Sequence, residues 1–428
     1  MSTSLTLLFV SLLFCLLIGI PVGFSIGISC MVYLYIGGYP PIDIMVMRMV
    51  NGCKSFSMLA MPLFVFSGAL MVYGSTPRLM KFANMLLRRV PGGMGATAMA
   101  ACGFFGAVSG SGVASAAAIG SICGPEMVRQ GYSKGLTAGL IAAGGTMACI
   151  IPPSIVMVVY AGCTGCSIGD MFVGGVVPGT LTILALIILN GYFAKKRGVG
   201  DQESMHYSAK EKLKITLDAL LPLAMPVFVL GSVFAGLATP TEAGVIAVVY
   251  SFILAIFVYR ELSFKEFFNV AANSVITTAV IMIIISAATP FGWIMSVENV
   301  PALFSGWITS VTTNPVIILG FFFIILLILG CFMETVCVIL LVTPILLPIA
   351  QQLGIDTVHF GIAMLMNLMV GSLTPPLSVN LFTSCRVLNM RIDEAFPDTL
   401  YVIGVVTIMA LLTLIFPDIS LGLVRLLR

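Results

Sequence analysis

Two stretches, Met147-Ala-Cys-Ile-Ile-Pro-Pro-Ser154 and Val370-Gly-Ser-Leu-Thr-Pro-Pro-Leu-Ser378, decide the fold of this chain. Each sets a proline pair inside an apolar run, and the pairs lie 223 residues apart (375 − 152). The spacing extends upstream. Pro125 precedes Pro152 by 27 residues, as Pro348 precedes Pro375, and Gly131 and Gly354 each lie six residues beyond that first proline. Proline costs about 3 kcal/mol in a helix interior, so a doubled proline at membrane depth marks a deliberately broken helix. Two such breaks at matching places in two halves of a polytopic chain point to a carrier with its site between repeats.

Composition sets the frame. The 428 residues are 59% hydrophobic and 9% charged, with a mean hydropathy of +1.14. Soluble domains carry about 25% charge, so the chain is an integral membrane protein. Its apolar runs, such as those over 275–285 and 316–329, are too long and unbroken for barrel strands, and the class is all-α. A net charge of +3, scattered along the chain, gives no reason to expect nucleic acid. Eleven cysteines sit mostly in apolar segments and read as buried thiols. The Cys163–Cys166 spacing lacks the nearby His or Cys that a metal or redox site needs. The apolar run over 5–20 has neither a basic leader nor a cleavage signal and is expected to be a first transmembrane helix.

Spans are expected near 5–36 (one long or two short), 57–73, 137–160, 172–194, 216–236, 242–259, 273–295 and 398–424. Two regions, 97–124 and 315–350, instead hold two short arms around a weak centre. These read as re-entrant hairpins, whose irregular tips must be buried in protein or face a wet cavity. A pair of ordinary spans is the alternative. Basic clusters at Arg78–Arg89, Lys195–Lys214 and Arg260–Lys265 all fall on one side under the positive-inside rule. The two hairpins then enter from opposite sides, as inverted-topology repeats require, with Arg425 and Arg428 left on the far side. The division is 1–197 as the first repeat (hairpin 97–124, broken helix 137–160), 198–214 as a cytoplasmic connector, and 215–428 as the second (hairpin 315–350, broken helix 358–388). Residues 76–90 read as an interfacial amphipathic helix.

A broken helix exposes carbonyls that suit a hard cation such as sodium. The first half offers Ser109, Ser111 and the carbonyls of Ala148, Ile151 and Pro153; the second offers Gly330, Gly371, Thr374 and the Leu377 carbonyl. Ser55 and Gly110 join the ion-site candidates. Half-helix N-termini could receive an anion, with Ser111, Ser154 and Ser378 as its contacts. Single Ser or Thr residues more often bond their own backbone; the paired recurrence raises these above that. Glu334, at the second hairpin tip, is an intramembrane carboxylate near the site or simply wet. Arg48 and Lys54 could meet an anion or snorkel to the interface. Glu242 reads as a helix-start carboxylate, and Asp170 as the cap of a helix starting near Met171.

The same segments resemble the large membrane subunit of tripartite ATP-independent periplasmic (TRAP) transporters. The match includes Gly19-Ile-Pro-Val-Gly-Phe24, Ser55-Phe-Ser-Met-Leu-Ala-Met-Pro-Leu-Phe64 and Phe105-Gly-Ala-Val-Ser-Gly-Ser-Gly-Val-Ala-Ser115. It continues through Ile151-Pro-Pro-Ser-Ile155, Thr239-Pro-Thr-Glu-Ala243, Gly354-Ile-Asp-Thr-Val-His-Phe-Gly361 and Thr374-Pro-Pro-Leu-Ser-Val-Asn-Leu-Phe382. The resemblance implies a sodium-coupled importer of a small organic anion, carboxylate or sulfonate, in the bacterial inner membrane. It implies an elevator-type transporter, similar to the ion transporter superfamily, with two sodium sites at the positions above and substrate between the hairpin tips. Its partners would be a small four-helix membrane (Q) subunit and a soluble periplasmic substrate-binding (P) protein. No four-helix block precedes Gly19, so the small subunit is expected to be a separate chain. The family pattern expects glycine where Ala148 and Ser378 stand. A carboxylate carrier that needs no binding protein, driven by sodium or protons, is the nearest rival. An enzyme is disfavoured, because His206 and His359 and few buried carboxylates leave little for acid–base or metal work. A passive channel fits poorly with opposed hairpins.

Overall fold

A computed structural model describes residues 3–37, 43–54, 56–200, 207–312 and 314–428. It is all-helical among these residues: α1 (Thr3–Leu17), α2 (Val22–Ile36), α3 (Asp43–Cys53), a 3-10 turn (Phe56–Leu59), α4 (Ala60–Leu87), α5 (Gly93–Ser109), α6 (Gly112–Arg129), α7 (Lys134–Met147), α8 (Ile155–Thr164) and α9 (Ile168–Arg197). There follow α10 (Ala209–Phe234), α11 (Pro240–Phe252) with a π-helical extension (Ile253–Val258), α12 (Phe264–Val297), α13 (Val300–Val311), α14 (Pro315–Phe332), α15 (Thr335–Gln352), α16 (Thr357–Gly371), α17 (Val379–Val387), α18 (Ile392–Ile415) and α19 (Pro417–Leu427). Among the described residues, seven helices are long and apolar enough to cross a membrane. The chain is a multi-pass membrane protein.

Local sequence chemistry sets the boundaries. Ser208/Glu211, Thr239/Glu242 and Ser263/Glu266 form capping boxes at the starts of α10, α11 and α12, so Glu242 is a helix cap as expected. Left-handed glycines at 110, 165 and 198 close α5, α8 and α9. The two hairpin regions are the helix pairs α5/α6 and α14/α15, the first longer than expected, its arms running from Gly93 to Arg129, while α14 and α15 are each long and apolar enough to cross a membrane. The broken helices are α7/α8 and α16/α17. Helix bounds recur with the spacing of the proline pairs: adding 223 carries 112–129 onto 335–352 and 134–147 onto 357–370. Gly131 and Gly354 both hold positive φ in the turns that follow the hairpins.

The first region takes the second of its two expected forms, two short helices split at Gly19–Pro21. Several other expectations need correction. The supposed interfacial helix over 76–90 is mostly the far arm of α4, bent at Tyr73–Gly74, and it buries Leu79, Met80 and Ala83. The last span divides at Phe416, and the connector is already helical from Ala209. Asp170 does not cap α9: Ser167 does, accepting from Asp170 N at 3.2 Å, while the Asp170 carboxylate pairs with Arg428.

The thirty-residue α9 runs about 45 Å and serves as a ruler. The base of the first hairpin meets its C-terminal end, where Asn190 Nδ2 donates to Gly92 O at 2.8 Å and Gly200 N to Gln130 O at 3.0 Å. The base of the second lies at its N-terminal end. There Tyr160 Oη donates to Thr357 O at 2.8 Å, and His359 Nδ1 lies 2.7 Å from Ser420 Oγ on α19, which packs against α9. The tips of both hairpins meet midway.

Candidate functional site at the hairpin tips

The meeting point is a cavity of about 200 Å³. Its walls come from the first tip (Gly110 to Val113), the second tip (Gly330, Met333 to Val336), both helix breaks (Cys149, Ile155, Val156, Ser372, Val379, Asn380) and α12 (Thr277, Ile281). Four helices start there, α6, α8, α15 and α17, and four end beside it, α5, α7, α14 and α16. Helix starts present free N–H groups and helix ends free carbonyls, so the site offers both polarities of backbone dipole.

Around the first break the contacts are backbone to backbone. A Cβ added to Gly110 would lie 2.5 Å from Pro153 O, and one at Gly106 would lie 2.5 Å from Ala148 Cα. Ser109 is buried with its Oγ 3.4 Å from Ser115 Oγ, and its backbone presses on Gly68 of α4. Ile151 lies in the break and reaches towards Gly103 and Gly179. Ser111 caps α6, accepting from Ala114 N at 3.4 Å, and Ser154 caps α8 in position while its Oγ donates to Cys149 O. Both proline pairs, Pro152-Pro153 and Pro375-Pro376, are cis.

The second break repeats the arrangement. A Cβ on Gly371 would lie 2.6 Å from the Gly330 carbonyl carbon, and Leu377 N donates to Cys331 O at 3.0 Å. Thr374 Oγ1 donates to Val370 O at 2.9 Å, leaving its lone pairs available. Glu334 caps α15, its Oε2 accepting from Val336 N at 2.9 Å and Cys337 N at 3.4 Å. Ser378 is the N-cap residue of α17, fully buried, and its Oγ has no hydrogen-bond partner.

The structure thus gathers Ser109, Gly110, Ser111, Ala148, Pro153, Gly330, Glu334, Gly371, Thr374, Leu377 and Ser378 around or just behind one cavity. It does not bring Arg48 there. Arg48 lies on α3 with its guanidinium 4.5 Å from the Trp293 ring centroid. Ser55 lies outside the described residues. Sequence reasoning missed Cys149, whose Sγ accepts from Gly112 N at 3.1 Å, and Asn380, which lines the cavity with its Oδ1 unpartnered. An asparagine in the first turn after a proline break, within an apolar run, was a readable signal for the second.

Comparison with known proteins identifies the family. The family described as tripartite ATP-independent periplasmic transporter, DctM component, matches residues 9–419. The isethionate TRAP transporter permease protein DctMQ of Oleidesulfovibrio alaskensis is 38% identical over 407 residues, covering 95% of this chain but 64% of that protein. This chain therefore spans less than two thirds of that relative. The C4-dicarboxylate TRAP transporter large permease protein DctM of Pseudomonas aeruginosa is 36% identical, with 93% of each chain covered. The sialic acid TRAP transporter large permease protein SiaM of Vibrio cholerae is 33% identical, covering 94% and 96%. The crystal structure of the Alcanivorax borkumensis YdaH transporter shares the fold at a TM-score of 0.59 and 15% identity, covering 87% of this chain and 88% of that one. The chain belongs to the DctM component family of tripartite ATP-independent periplasmic transporters.

Proposed function

We propose that this chain is the large membrane subunit of a three-part secondary transporter that imports a small organic anion across the bacterial inner membrane, driven by sodium. Its two halves act as inverted repeats, 1–197 and 215–428. The paired hairpins and broken helices form a unit that slides against a scaffold including α2, α3 and α12, carrying the cavity from one face to the other. A small four-helix subunit would complete the scaffold, and a periplasmic binding protein would deliver the anion.

The observation that carries this reading is the convergence of two hairpin tips, based at opposite ends of α9, on two helix breaks around a single cavity. The dipoles support two cations. Each helix C-terminus carries about half a negative charge, so the four that end here come to about −2, the charge of two sodium ions inverted. The oxygens on offer, backbone carbonyls with the Thr374 and Ser109 hydroxyls, are neutral and hard, the kind sodium prefers. Sodium here is cargo.

Thermal stability of the purified chain in sodium, potassium or choline chloride at matched ionic strength tests this directly. Sodium at a hundred times its dissociation constant is expected to stabilise by about 2.7 kcal/mol per site, and Thr374→Ala or Ser109→Ala to remove part of that rise. Equal melting in all three salts would sink the sodium assignment.

A further inference from the structure

The four helix starts at the cavity are not equivalent. Each N-terminus carries about half a positive charge, so four come to roughly +2. Glu334 caps α15 and lines the cavity, and its carboxylate returns about one unit. What remains matches a single negative charge. It also leaves a carboxylate, with lone pairs beyond those its backbone bonds use, facing whatever is carried.

The start of α17 is the opposite case. It has no side-chain cap. Its first intrahelical bond runs from Phe382 N to Ser378 O at 2.8 Å, so the N–H groups of Val379, Asn380 and Leu381 precede it. Ser378 Oγ is buried and unpartnered, and Asn380, 5% exposed, has an unpartnered Oδ1. A buried polar atom left unpaired costs about 1–3 kcal/mol; an anion accepting from the Ser378 hydroxyl would recover that cost, whereas Asn380 Oδ1, an acceptor, calls for a donor such as a ligand hydroxyl. The space between the tips, about 200 Å³, favours a short solute.

We propose that the tip cavity takes a short mono-anion, a sulfonate or monocarboxylate, that carries a hydroxyl group. Its acidic head sits at the start of α17 with Ser378 and Asn380, and its hydroxyl donates to the Glu334 carboxylate. A second carboxylate would meet the like charge of Glu334, and a sugar acid the size of sialic acid would have to extend well beyond the space between the tips. This rests on the cavity being the transport site. Isethionate, printed in the name of one relative, is 2-hydroxyethanesulfonate and belongs to the class.

The test is thermal stability of the full chain in lipid nanodiscs and sodium chloride, titrated with 2-hydroxyethanesulfonate, ethanesulfonate, succinate and N-acetylneuraminate. The hydroxy-sulfonate is expected to raise the melting temperature, with ethanesulfonate at least tenfold weaker, since a hydrogen bond to a charged group is lost. Succinate and N-acetylneuraminate should give no rise. Glu334→Gln should erase the preference for the hydroxyl and admit succinate. Asn380→Ala should lose the response to anions while keeping the rise with sodium, which shows that the variant is folded. Succinate acting as well as the hydroxy-sulfonate, with Glu334→Gln changing nothing, would overturn the substrate class and leave the transport site standing. A rise with sodium but with none of the anions would also overturn the class. Indifference to sodium and anions alike would sink the transport reading itself.

Discussion

Ser378 holds φ 34° and ψ 59°, in the left-handed region that costs an ordinary side chain about 1–2 kcal/mol. A glycine, the residue expected there from the sequence, would escape that cost. Ala148, the other position where glycine is expected, sits at φ −61° and ψ −20° and needs no such freedom. Its constraint is proximity, because Gly106 packs against it with no room for a Cβ. At the matching place in the second half, 223 residues on, stands Gly371, closed onto Gly330. In the first half one partner of the contact is glycine; in the second half both are. Gly371→Ala should therefore overpack the second break, costing about 1–3 kcal/mol and weakening the rise with sodium. Ala148→Gly should cost under about 1 kcal/mol. Melting curves of both variants in sodium and in choline read this out. If Gly371→Ala melts like the parent with its sodium response intact, close packing at 330 and 371 does not shape the ion site.

Among elements, the helix pairs and the broken helices were readable because proline and glycine punctuate them at a fixed spacing. The residues that the structure brings to the tips lie at the same punctuation, Asn380 just after its proline break among them, whereas Cys149 carries no such signal. Helices α3 and α13 were not readable. Both are short apolar pieces beside longer apolar runs, and hydropathy has no contrast there to divide them. The one hint for α13 is Pro301 in its first turn, after Asn299 at φ 52°. The bend of α4 was also hidden, since a single glycine in an apolar helix says little. Gly74, at φ 81°, makes that bend, and a Cβ there would lie 2.5 Å from Tyr259 Cδ2, just beyond the π-helical turn. Arg78 locks the joint, 3.7 Å from the Tyr259 ring centroid and 2.8 Å from Glu261 Oε1. Gly74→Ala meets both the torsional and the steric penalty and should lower stability by at least about 2 kcal/mol. A denaturation midpoint unchanged by that substitution would mean the bend relaxes freely.

For the whole molecule, charge placement and hairpin geometry make the same statement about sidedness. At the C-terminal end of α9, Arg197 Nη2 meets Asp398 Oδ1 at 2.8 Å, and Arg197 Nη1 lies 3.2 Å from Ser133 Oγ, so this end joins the two halves. At its N-terminal end, Arg428 meets Asp170, while Arg425 Nη1 pairs with Asp418 Oδ1 at 2.8 Å. A helix of about 45 Å exceeds the hydrocarbon core of about 30 Å, so the two ends emerge on opposite sides. Lys195, Lys196 and Arg197 crowd the last turn of α9, so the positive-inside rule predicts a cytoplasmic location for that end and the opposite side for Arg425 and Arg428. Gly198 and Leu426 are both exposed and lie at these two ends. A membrane-impermeant maleimide should label Gly198→Cys only in inside-out vesicles and Leu426→Cys only in right-side-out ones. The parent chain, with its own cysteines, supplies the background. Labelling of both from one side would place the two hairpin bases on the same face, and two hairpins that open to the same side cannot hand a solute across the membrane between them.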